Sequence, residues 1–368
     1  MHIKGKHYQT IWVKEGKPAT IRVIDQRKLP FKLEIMELKS VDDAYFAIKE
    51  MVIRGAPLIG ITAAWGMYLA LLEYRNNNIS DYLTEKANYL KSARPTSVNP
   101  FYTVDKIYDF IIKEQSSKDL KEKTFEKVKL LQENEIEYGK KIGDWGLKII
   151  EKIYNTKKDT VNILTHCNAG WLACIDWGTA TAPIYKAHYK GIPLHVWVDE
   201  TRPRNQGARL TAFELGEEGI PHTVIADNTG GHLMQHGLVD IVLVGSDRTT
   251  LRGDVANKIG TYLKALAAKD NSIPFYAALP SSSIDWSIKN GITEIQIEER
   301  GSEEVARIEG WTGSEIQQVQ LIPEKSKAIN YGFDVTPARL ITGLITERGI
   351  CKANKKSILN LFPEKNKK

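Results

Sequence analysis

The stretch VNILTHCNAG, residues 161–170, runs a short apolar β-type segment directly into a thiol, an amide and a glycine. In an open α/β sheet, ligands bind outside the carboxyl ends of the strands, so Cys167 is placed for chemistry. Free cysteines are also among the most buried residue types, and by itself this one is better interpreted as a small apolar residue that closes a strand. The rest of the chain decides between the two interpretations.

Four further apolar runs follow this stretch, separated by segments long enough for crossover helices. They are LHVWV (residues 194–198), HTVIAD (222–227), DIVLVGSD (240–247) and PFYAAL (274–279). The alternation predicts an α/β fold with a Rossmann-like, doubly wound parallel sheet. No GxGxxG motif opens the first helix, so the sequence does not support a nicotinamide cofactor.

Polar residues follow directly on four of the predicted strands: Cys167, Asp199, Asp227 and Asp247. The carboxyl ends of parallel strands lie along one edge of a sheet, so we expect these residues to gather in one site. Asp199 and Asp227 are equally well explained as caps of the helices that follow them.

The segment RTTLRGDVANKIGTY, residues 248–262, follows Asp247 and predicts a polar, glycine-containing loop that leads into a helix. The start of that helix carries Asn257 and Lys258. Backbone amides at a helix start, assisted by a lysine, form an anion site, which favours a functional role for Asp247 beside it.

Two further anion candidates precede the sheet. VIRGAP, residues 52–57, places Arg54 and a glycine at a helix end, and SARPTSVN, residues 92–99, places Arg94 before a proline-containing loop. A single arginine at a helix end is commonly only a partner of the helix dipole. Together with Lys258, these scattered charges suit a phosphorylated small molecule better than nucleic acid, which needs a stripe of charge.

The first part of the chain predicts a β-hairpin over residues 10–25 and then helices. Ser40 and Asp43 have the spacing of a capping box, and the helix that they begin should end near Gly55. Residues 60–74, rich in Gly and Ala, predict a buried helix.

Residues 124–154 predict a helix that joins the two parts of the chain. We therefore expect an N-terminal hairpin and helical domain, residues 1–140, and a Rossmann-like catalytic domain, residues 141–368.

Composition argues against several classes of protein. The chain has 368 residues, 42% hydrophobic and 26% charged, which is ordinary for a globular enzyme. Its net charge of +6 comes partly from lysines near the C-terminus, so we expect no nucleic-acid partner. Three cysteines without CxxC spacing argue against a disulfide framework and against a structural zinc site.

The N-terminus lacks the apolar run of a signal peptide, and no stretch approaches the roughly 18 apolar residues that span a bilayer. We therefore expect a cytoplasmic protein without a membrane partner. His232 and His236 lie four residues apart with no evident third ligand, so we expect no metal, and no other cofactor is indicated.

Eight motifs, in this order, resemble those of the methylthioribose-1-phosphate isomerase family. They are RGAP at Arg54, RPTSVN at Arg94, HCNAG at Cys167, DETRPRNQGARLTAFEL from Asp199, DNTGGHLM from Asp227, GSDR at Asp247, GDVANKIGTY from Gly253 and FDVTPARLITGLITE from Phe333. The resemblance covers nearly the whole chain.

The resemblance implies a homodimer that converts 5-methylthioribose 1-phosphate into 5-methylthioribulose 1-phosphate in methionine salvage. It implies that Cys167 and Asp247 are the catalytic pair. The positions implied to bind substrate are Arg54, Gly55, Ala56, Arg94, Gln206, Asn257 and Lys258.

The implied reaction needs an acid, because the phosphate on the anomeric oxygen prevents simple ring opening. In one route Asp247 is that acid, a hydride shifts from C2 to C1, and Cys167 takes the C2 hydroxyl proton. In the other route Cys167 removes the C2 proton to give an enolate. Both need a protonated Asp247 in an apolar pocket and a Cys167 poised towards thiolate. We expect residues 241–246, Trp171 and Leu172 to supply the apolar walls.

His166, next to the thiol, should point to the opposite face of the strand and pack away from it. Residues 297–300 and Asp334 are expected to help close the pocket or a dimer interface, and Thr336 with Pro337 reads equally as a helix start.

Some positions depart from the family pattern. Arg204 and Asn205 stand where apolar residues are frequent, close to Gln206, and leave 5-deoxyribose 1-phosphate as an alternative substrate. Relatives of the same fold include ribose-1,5-bisphosphate isomerases and regulatory subunits of an initiation-factor exchange complex. A regulatory protein is the rival from another class, and it would not need Cys167 and Asp247 together with scattered phosphate ligands.

Overall fold

Short antiparallel hairpins form the N-terminus, as the hairpin prediction requires. The computed structural model describes residues 1–75, 78–94 and 98–367, with the backbone alone for residues 98–100 and 367. The first two strands pair with each other, and the next three form a small antiparallel sheet in the order β3-β4-β5. Their bounds are β1 (His2–Ile3), β2 (Lys6–His7), β3 (Ile11–Lys14), β4 (Lys17–Ile24) and β5 (Ile35–Leu38).

Five helices follow: α1 (Val41–Lys49), α2 (Ala56–Glu73), α3 (Ile79–Ser92), α4 (Val98–Glu114) and α5 (Leu120–Lys157). The capping box of α1 is confirmed, because Ser40 Oγ accepts from the Asp43 N–H and the Asp43 carboxylate accepts from the Ser40 N–H. The expectation that this helix reaches Gly55 is wrong. It ends at Lys49, and Met51, with φ +54°, turns the chain away from the helical path.

Helix α2 is the predicted buried helix, and its side chains lie in the apolar core of the N-terminal part. It is also long and apolar enough to cross a membrane, which corrects the expectation that no stretch is. Of the 18 residues of that window, 89% are buried inside the structure, as in a core helix.

Helix α5 is the predicted joining helix, and its 38 residues pack against both α2 and the large sheet described next. The predicted boundary after residue 140 falls within this helix, and the division into two domains stays a prediction.

The large sheet has seven strands in the order β18-β17-β12-β9-β6-β7-β8. Six of them are parallel, and β18 pairs antiparallel at one edge. Their bounds are β6 (Val161–Thr165), β7 (Leu194–Asp199), β8 (His222–Ile225), β9 (Ile241–Val244), β12 (Phe275–Ala278), β17 (Gly343–Thr346) and β18 (Gly349–Cys351). All five strands that the sequence predicts are present, and β17 and β18 are additional.

The parallel strands follow the 3-2-1-4-5-6 order of a doubly wound sheet, so the expected fold class is confirmed. Strands β6 and β9 are the first and fourth of the series and lie side by side, with Ile163 opposite Ile241. The connections leave these two strands in opposite directions, which opens a crevice at their carboxyl ends.

Helices cover both faces of this sheet, and apolar cores lie beneath them. These helices are α6 (Ala182–Tyr189), α7 (Ala212–Glu217), α8 (Thr229–Gln235), α9 (Thr261–Asp270) and α12 (Lys355–Leu361). Two single-turn helices, α10 (Gly291–Glu294) and α11 (Glu303–Ala306), lie outside this layer, α10 against Asp254 and α11 against residues 307–311.

A second sheet, in the order β13-β10-β11-β16, flanks the crevice, and a hairpin of β14 and β15 lies beyond it. The bounds are β10 (Arg248–Thr250), β11 (Val255–Lys258), β13 (Ile284–Asp285), β14 (Arg307–Trp311), β15 (Ile316–Gln320) and β16 (Phe333–Thr336).

The second sheet corrects the interpretation of residues 248–262 as a loop leading into a helix. Asn257 and Lys258 end strand β11, and α9 begins only at Thr261. The start of α9 is already occupied, because the Asp334 carboxylate accepts from the N–H of Gly260 at 2.7 Å and of Tyr262 at 3.1 Å. Any anion bound by Lys258 is therefore not bound by this helix start.

Candidate active site

A pocket of about 1000 Å³ opens at the carboxyl ends of β6 and β9 and reaches the start of α2. All nine residues that the sequence singles out for catalysis or binding line it: Arg54, Gly55, Ala56, Arg94, Cys167, Gln206, Asp247, Asn257 and Lys258. The fold thus brings together residues from the helical part, the large sheet and the second sheet, while their individual roles stay predictions.

Cys167 lies two residues after the end of β6 and is 7% exposed. Its φ of +68° lies in the left-handed region, which costs a non-glycine residue of order 1–3 kcal/mol and is concentrated at functional sites. Two hydroxyls hold this backbone in place. The Cys167 N–H donates to Thr201 Oγ1 at 2.8 Å, and Thr211 Oγ1 donates to the Cys167 carbonyl at 2.7 Å.

The thiol of Cys167 is not poised towards thiolate in this pocket, contrary to the expectation from the sequence. Burial raises its pKa, and this effect exceeds the opposing attraction of the positive charges of Arg54 and Lys258. Because a thiol with a raised pKa keeps its proton near neutrality, the ionised form of Cys167 is the minor one.

Asp247 follows β9 and faces the same pocket. Burial raises its pKa, and the nearby charges of Lys258 and Arg54 reduce this shift without reversing it. The direction agrees with the sequence prediction of a carboxyl group that can act as an acid.

The apolar wall of the pocket differs from the prediction. Gly245 and Ser246 line it as expected, but Trp171 and Leu172 are fully buried in the core beneath it. The wall consists instead of Met51, Pro57, Ile59, Ile295, Ile297 and Phe333.

Arg54 is anchored to the residue that follows the thiol. Its guanidinium donates to the Asn168 side-chain oxygen at 2.5 Å and to the Asn168 carbonyl at 2.6 Å. The next residue, Gly55, packs closely against Ala173. Its φ is +93°, and a Cβ there would lie 2.2 Å from the Ala173 carbonyl oxygen, so only glycine fits. No side chain caps the start of α2 among the described residues, which leaves the amide groups at this helix end available to an anion.

Lys258 is 8% exposed at the end of β11. Its ammonium donates to the Gly332 carbonyl at 3.0 Å and lies 4.6 Å from the centre of the Phe333 ring. Burial lowers the pKa of Lys258, and Cys167 and Asp247 raise it. The two groups of the predicted catalytic pair thus share one buried cation.

Arg94 contributes donors without partners. Its Nη2 donates to Glu298 Oε2 at 3.0 Å, whereas its buried Nε and Nη1 have no hydrogen-bond partner among the described residues. Buried polar groups are nearly always paired, so these donors indicate a ligand. Residues 95–97 of the predicted loop lie outside the described residues.

Two carboxamides complete the set of predicted residues. Gln206 is 4% exposed, and its Oε1 has no partner within the described part of the chain. Asn257 Nδ2 donates to Thr261 Oγ1 at 3.1 Å.

The other two polar strand ends do not join the pocket, which corrects the expectation of four residues in one site. Asp199 accepts from His166 Nδ1 at 2.8 Å and lies 3.2 Å from Lys264 Nζ, and Asp227 accepts from the N–H groups of Thr201 and Arg202 at 2.7 and 2.8 Å. Asp227 therefore fixes the loop after β7 rather than capping a helix.

His166 packs away from the thiol as predicted, and its Nε2 lies 2.8 Å from the Ile259 carbonyl. Ligand atoms of His166, Asp199 and Asp227 lie within 4.8 Å of one another, which is close enough to hold a metal ion. The Lys264 ammonium already supplies positive charge there, since it pairs with Asp199 and donates to the Asp227 carbonyl.

Residues 297–300 contribute to the pocket through Ile297, which lines it, and Glu298, which pairs with Arg94. Asp334 caps α9 and does not close the pocket. Arg204 and Asn205 line a neighbouring cavity, where Arg204 Nη1 donates to Glu304 Oε1 at 2.8 Å. Arg204 also lines a small pocket with Arg54 and Gln206, next to the candidate site.

Sequence reasoning missed three residues that hold the site together: Asn168, Thr201 and Thr211. Asn168 lies in the HCNAG motif, directly beside the thiol, and this position is the signal that could have found it. The others act through tertiary contacts that leave no local pattern in the sequence.

Comparison with known proteins places this pocket in a family context. The model of the initiation factor 2 subunit family matches residues 52–353. The chain is 54% identical to a methylthioribose-1-phosphate isomerase from Desulfatibacillum aliphaticivorans, over 100% of both chains.

Two solved structures are similar over nearly the full length. The 5-methylthioribose 1-phosphate isomerase from Pyrococcus horikoshii is 35% identical with a TM-score of 0.84, covering 98% of this chain and 97% of that one. A chain described as translation initiation factor eIF-2B, subunit delta, from A. fulgidus is 36% identical with a TM-score of 0.78, covering 97% and 100%.

Proposed function

Because the chain belongs to the initiation factor 2 subunit family, and within it to the methylthioribose-1-phosphate isomerases, we propose that it converts 5-methylthioribose 1-phosphate into 5-methylthioribulose 1-phosphate. The observation that carries the proposal is the pocket that combines Cys167 and Asp247 with three buried or partly buried cations. The chain is an isomerase, and the substrate and the roles of its residues are our assignment.

We assign the phosphate group to Arg54, Lys258 and the amide groups at the start of α2. Guanidinium and ammonium groups form the strongest hydrogen bonds with phosphate oxygens, and a helix start favours negative charge. Arg94, two of whose buried donors have no partner among the described residues, supplies further hydrogen bonds. Gln206 and Asn257 offer carboxamide groups to the sugar hydroxyls.

We assign proton transfer to Cys167 and Asp247 acting as a pair that shares one proton. Burial raises the pKa of both groups, and in the productive state the proton resides on Asp247 and the thiol is ionised. Asp247 then donates this proton to the ring oxygen as the bond between C1 and that oxygen breaks. The cation Lys258, which interacts with both groups, stabilises the state in which Cys167 is ionised.

Of the two routes, we favour the hydride shift. Loss of the ring oxygen leaves an electron-deficient C1, a hydride moves there from C2, and Cys167 accepts the proton of the C2 hydroxyl as its carbonyl forms. The C2 hydroxyl becomes strongly acidic as its carbonyl forms, so a thiolate is a sufficient base for it, whereas a proton on C2 is far less acidic.

The apolar wall of Met51, Ile59 and Phe333 supports an apolar 5-substituent. Both the methylthio group and the methyl group of 5-deoxyribose 1-phosphate meet this requirement, so the deoxy sugar remains the alternative substrate. Asn205, one of the two residues that raised that alternative, does not line the candidate site, whereas Arg204 lies beside it with Arg54 and Gln206. The names of the relatives favour the methylthio sugar.

We further propose that the enzyme works in methionine salvage, in the cytoplasm and as a homodimer, without a cofactor, a nucleic acid or a membrane partner. The names of the relatives support the metabolic assignment.

The chain from A. fulgidus supports a second candidate, a regulatory subunit, because its name is that of an initiation factor. Turnover of the purified protein separates the two. We expect conversion of methylthioribose 1-phosphate to the ketose, with a kcat/KM higher than for 5-deoxyribose 1-phosphate. Absence of turnover on both sugars would contradict the isomerase assignment, and faster turnover of the deoxy sugar would change the substrate.

A further inference from the structure

Glu214 on α7 is fully buried next to the loop that follows the thiol. Its carboxylate accepts four hydrogen bonds, at 2.6 to 3.1 Å. Asn168 Nδ2 and the Leu172 N–H donate to Oε1, and the Trp171 N–H and the Tyr185 hydroxyl donate to Oε2. Four donors on two oxygens match the acceptor sites of an ionised carboxylate.

The Glu214 carboxylate packs closely against the backbone of Gly170. A Cβ on Gly170 would lie 1.6 Å from Glu214 Oε2, so the glycine of the HCNAG motif admits the carboxylate to the loop. Burial raises the pKa of Glu214, and the hydrogen bonds from Tyr185, Asn168 and Leu172 lower it. A buried carboxylate held so closely by donors is expected to interact with a specific nearby cation.

Asn168 connects Glu214 to the pocket. Its Nδ2 donates to Glu214 Oε1 at 2.9 Å and to Thr211 Oγ1 at 3.2 Å, which leaves Oδ1 facing Arg54. If the amide were reversed, its oxygen would face the carboxylate and its NH₂ group would face the guanidinium. Glu214 therefore fixes which end of Asn168 the arginine meets.

A neutral group between the two charges matters for binding. A carboxylate in direct contact with Arg54 would offset the charge of the guanidinium, whereas an amide orients it and leaves its charge available. The fold thus places a buried anion one residue away from the arginine instead of against it.

We propose that Glu214 is a positioning residue for the substrate phosphate: through Asn168 it holds the Arg54 guanidinium in place at the wall of the pocket. The inference rests on the proposed function in assigning the phosphate to Arg54.

The first test is Glu214→Met, which keeps the length of the side chain and removes both acceptor oxygens. We expect KM for methylthioribose 1-phosphate and the dissociation constant of inorganic phosphate to rise by about tenfold, the worth of one charge-assisted hydrogen bond, with a smaller change in kcat. Native phosphate affinity in folded Glu214→Met protein would overturn the proposal.

Two matched variants separate positioning from damage to the core. Glu214→Gln keeps the Oε1 acceptor for Asn168, and its NH₂ group can donate to the Tyr185 hydroxyl, although the Trp171 N–H loses its acceptor. The Tm should therefore fall, while phosphate affinity should stay within about twofold. Tyr185→Phe removes a different hydrogen bond to the same carboxylate and should lower the Tm without changing KM. A rise in KM in Tyr185→Phe as large as in Glu214→Met would overturn the proposal.

A double-mutant cycle tests the connection itself. Asn168→Ala alone should weaken phosphate binding by about tenfold. If Glu214→Met does not fold, this variant tests the connection to Arg54 in its place. Adding Glu214→Met to Asn168→Ala should change the phosphate affinity little, because the path to Arg54 is already broken. Additive losses would show that Glu214 acts independently of Asn168 and would overturn the proposal.

Phosphate binding is measured by calorimetry and needs no turnover. If the native protein binds phosphate in a manner dependent on Glu214 and isomerises neither sugar, the proposed function fails and the positioning role holds. If it isomerises the sugar and Glu214 has no effect on phosphate binding, the proposed function holds and the positioning role fails.

Discussion

The Arg54 guanidinium donates to both the side-chain oxygen and the carbonyl oxygen of Asn168, at 2.5 and 2.6 Å. Arg54 precedes helix α2 in the N-terminal part, and Asn168 follows strand β6 and the thiol of Cys167. The pair therefore joins the start of α2 to the carboxyl edge of the large sheet. Changes at either residue are expected to act on binding and geometry together.

Replacing Arg54 with Lys removes the planar fork that makes both hydrogen bonds. We expect KM to rise by about 10- to 100-fold with a smaller change in kcat, because an ammonium cannot reproduce the two parallel contacts. Steady-state kinetics measures this split. Arg22→Lys is the control, since Arg22 also makes two hydrogen bonds to one residue, Glu37, far from the pocket. Equal effects of both variants would argue against a role for Arg54 in binding.

Replacing Cys167 with Ser exchanges the thiol for a hydroxyl of much higher pKa in the same position. Turnover should fall by about 10²- to 10⁴-fold, the usual contribution of a general acid or base, while the circular dichroism spectrum stays unchanged. Cys351→Ser, in strand β18, should keep native turnover. A Cys167→Ser enzyme with near-native kcat would exclude the thiol from the chemistry.

Replacing Asp247 with Asn keeps the shape of the side chain and removes its acidic proton. We expect a similar loss of turnover, about 10²- to 10⁴-fold. Asp240→Asn provides the comparison, because Asp240 precedes β9 at the opposite edge of the same sheet and accepts from the Asn162 N–H and Lys157. Only the variant at the carboxyl end of the strand should lose activity, and retention of activity in Asp247→Asn would refute the pair.

The pH dependence of kcat/KM should be bell-shaped. Below the lower apparent pKa of the pair both groups are protonated and no base is present, so activity rises as the pH increases through it. Above the upper apparent pKa the last proton is lost and no acid remains, so activity falls. Burial raises the pKa of both groups, and the optimum should therefore lie above about pH 6, the midpoint of the ordinary Asp and Cys values. Rates measured from pH 5 to pH 10 check this, and an optimum on the acid side of pH 6 would contradict it.

Replacing Gly55 with Ala should both destabilise the protein and weaken binding. The residue has φ +93°, and its new Cβ would lie 2.2 Å from the Ala173 carbonyl, so we expect a loss of about 2 kcal/mol or more in the free energy of unfolding. Gly16→Ala is the matched control, with φ +69° and nothing within 4 Å of its Cβ, and should lose about 1 kcal/mol. Denaturant titration compares the two, and equal losses would mean that the contact with Ala173 is easily relieved.

The sequence predicts much of the sheet and part of the site for one physical reason. Parallel strands buried on both faces read as short apolar runs, and the residue after each run must lie at the carboxyl edge of the sheet. Cys167 and Asp247 could be assigned in this way before any contact was known. The same logic is wrong for Asp199 and Asp227, which share that edge but do not line the pocket. Asp199 contacts His166 and Lys264 instead, and Asp227 accepts from the backbone of residues 201–202.

Tertiary contacts decided what local patterns could not express. Residues 248–262 read as a polar loop and a helix start, because strands β10 and β11 are short and gain stability from β13 and β16, which lie far along the chain. The apolar wall likewise comes from Met51, Ile295 and Phe333, which no sequence window places near the thiol.

The sequence by itself determined the doubly wound sheet, and it predicted the catalytic pair, through the family resemblance, and the cations available to a phosphate. Only the tertiary structure decided how those charges are held, with a neutral Asn168 between Glu214 and Arg54, and which way the proton equilibrium of Cys167 lies. The reason is that neighbouring residues in the sequence define a strand or a motif. The desolvation and the orientation of a charged group depend instead on all the residues that pack around that group.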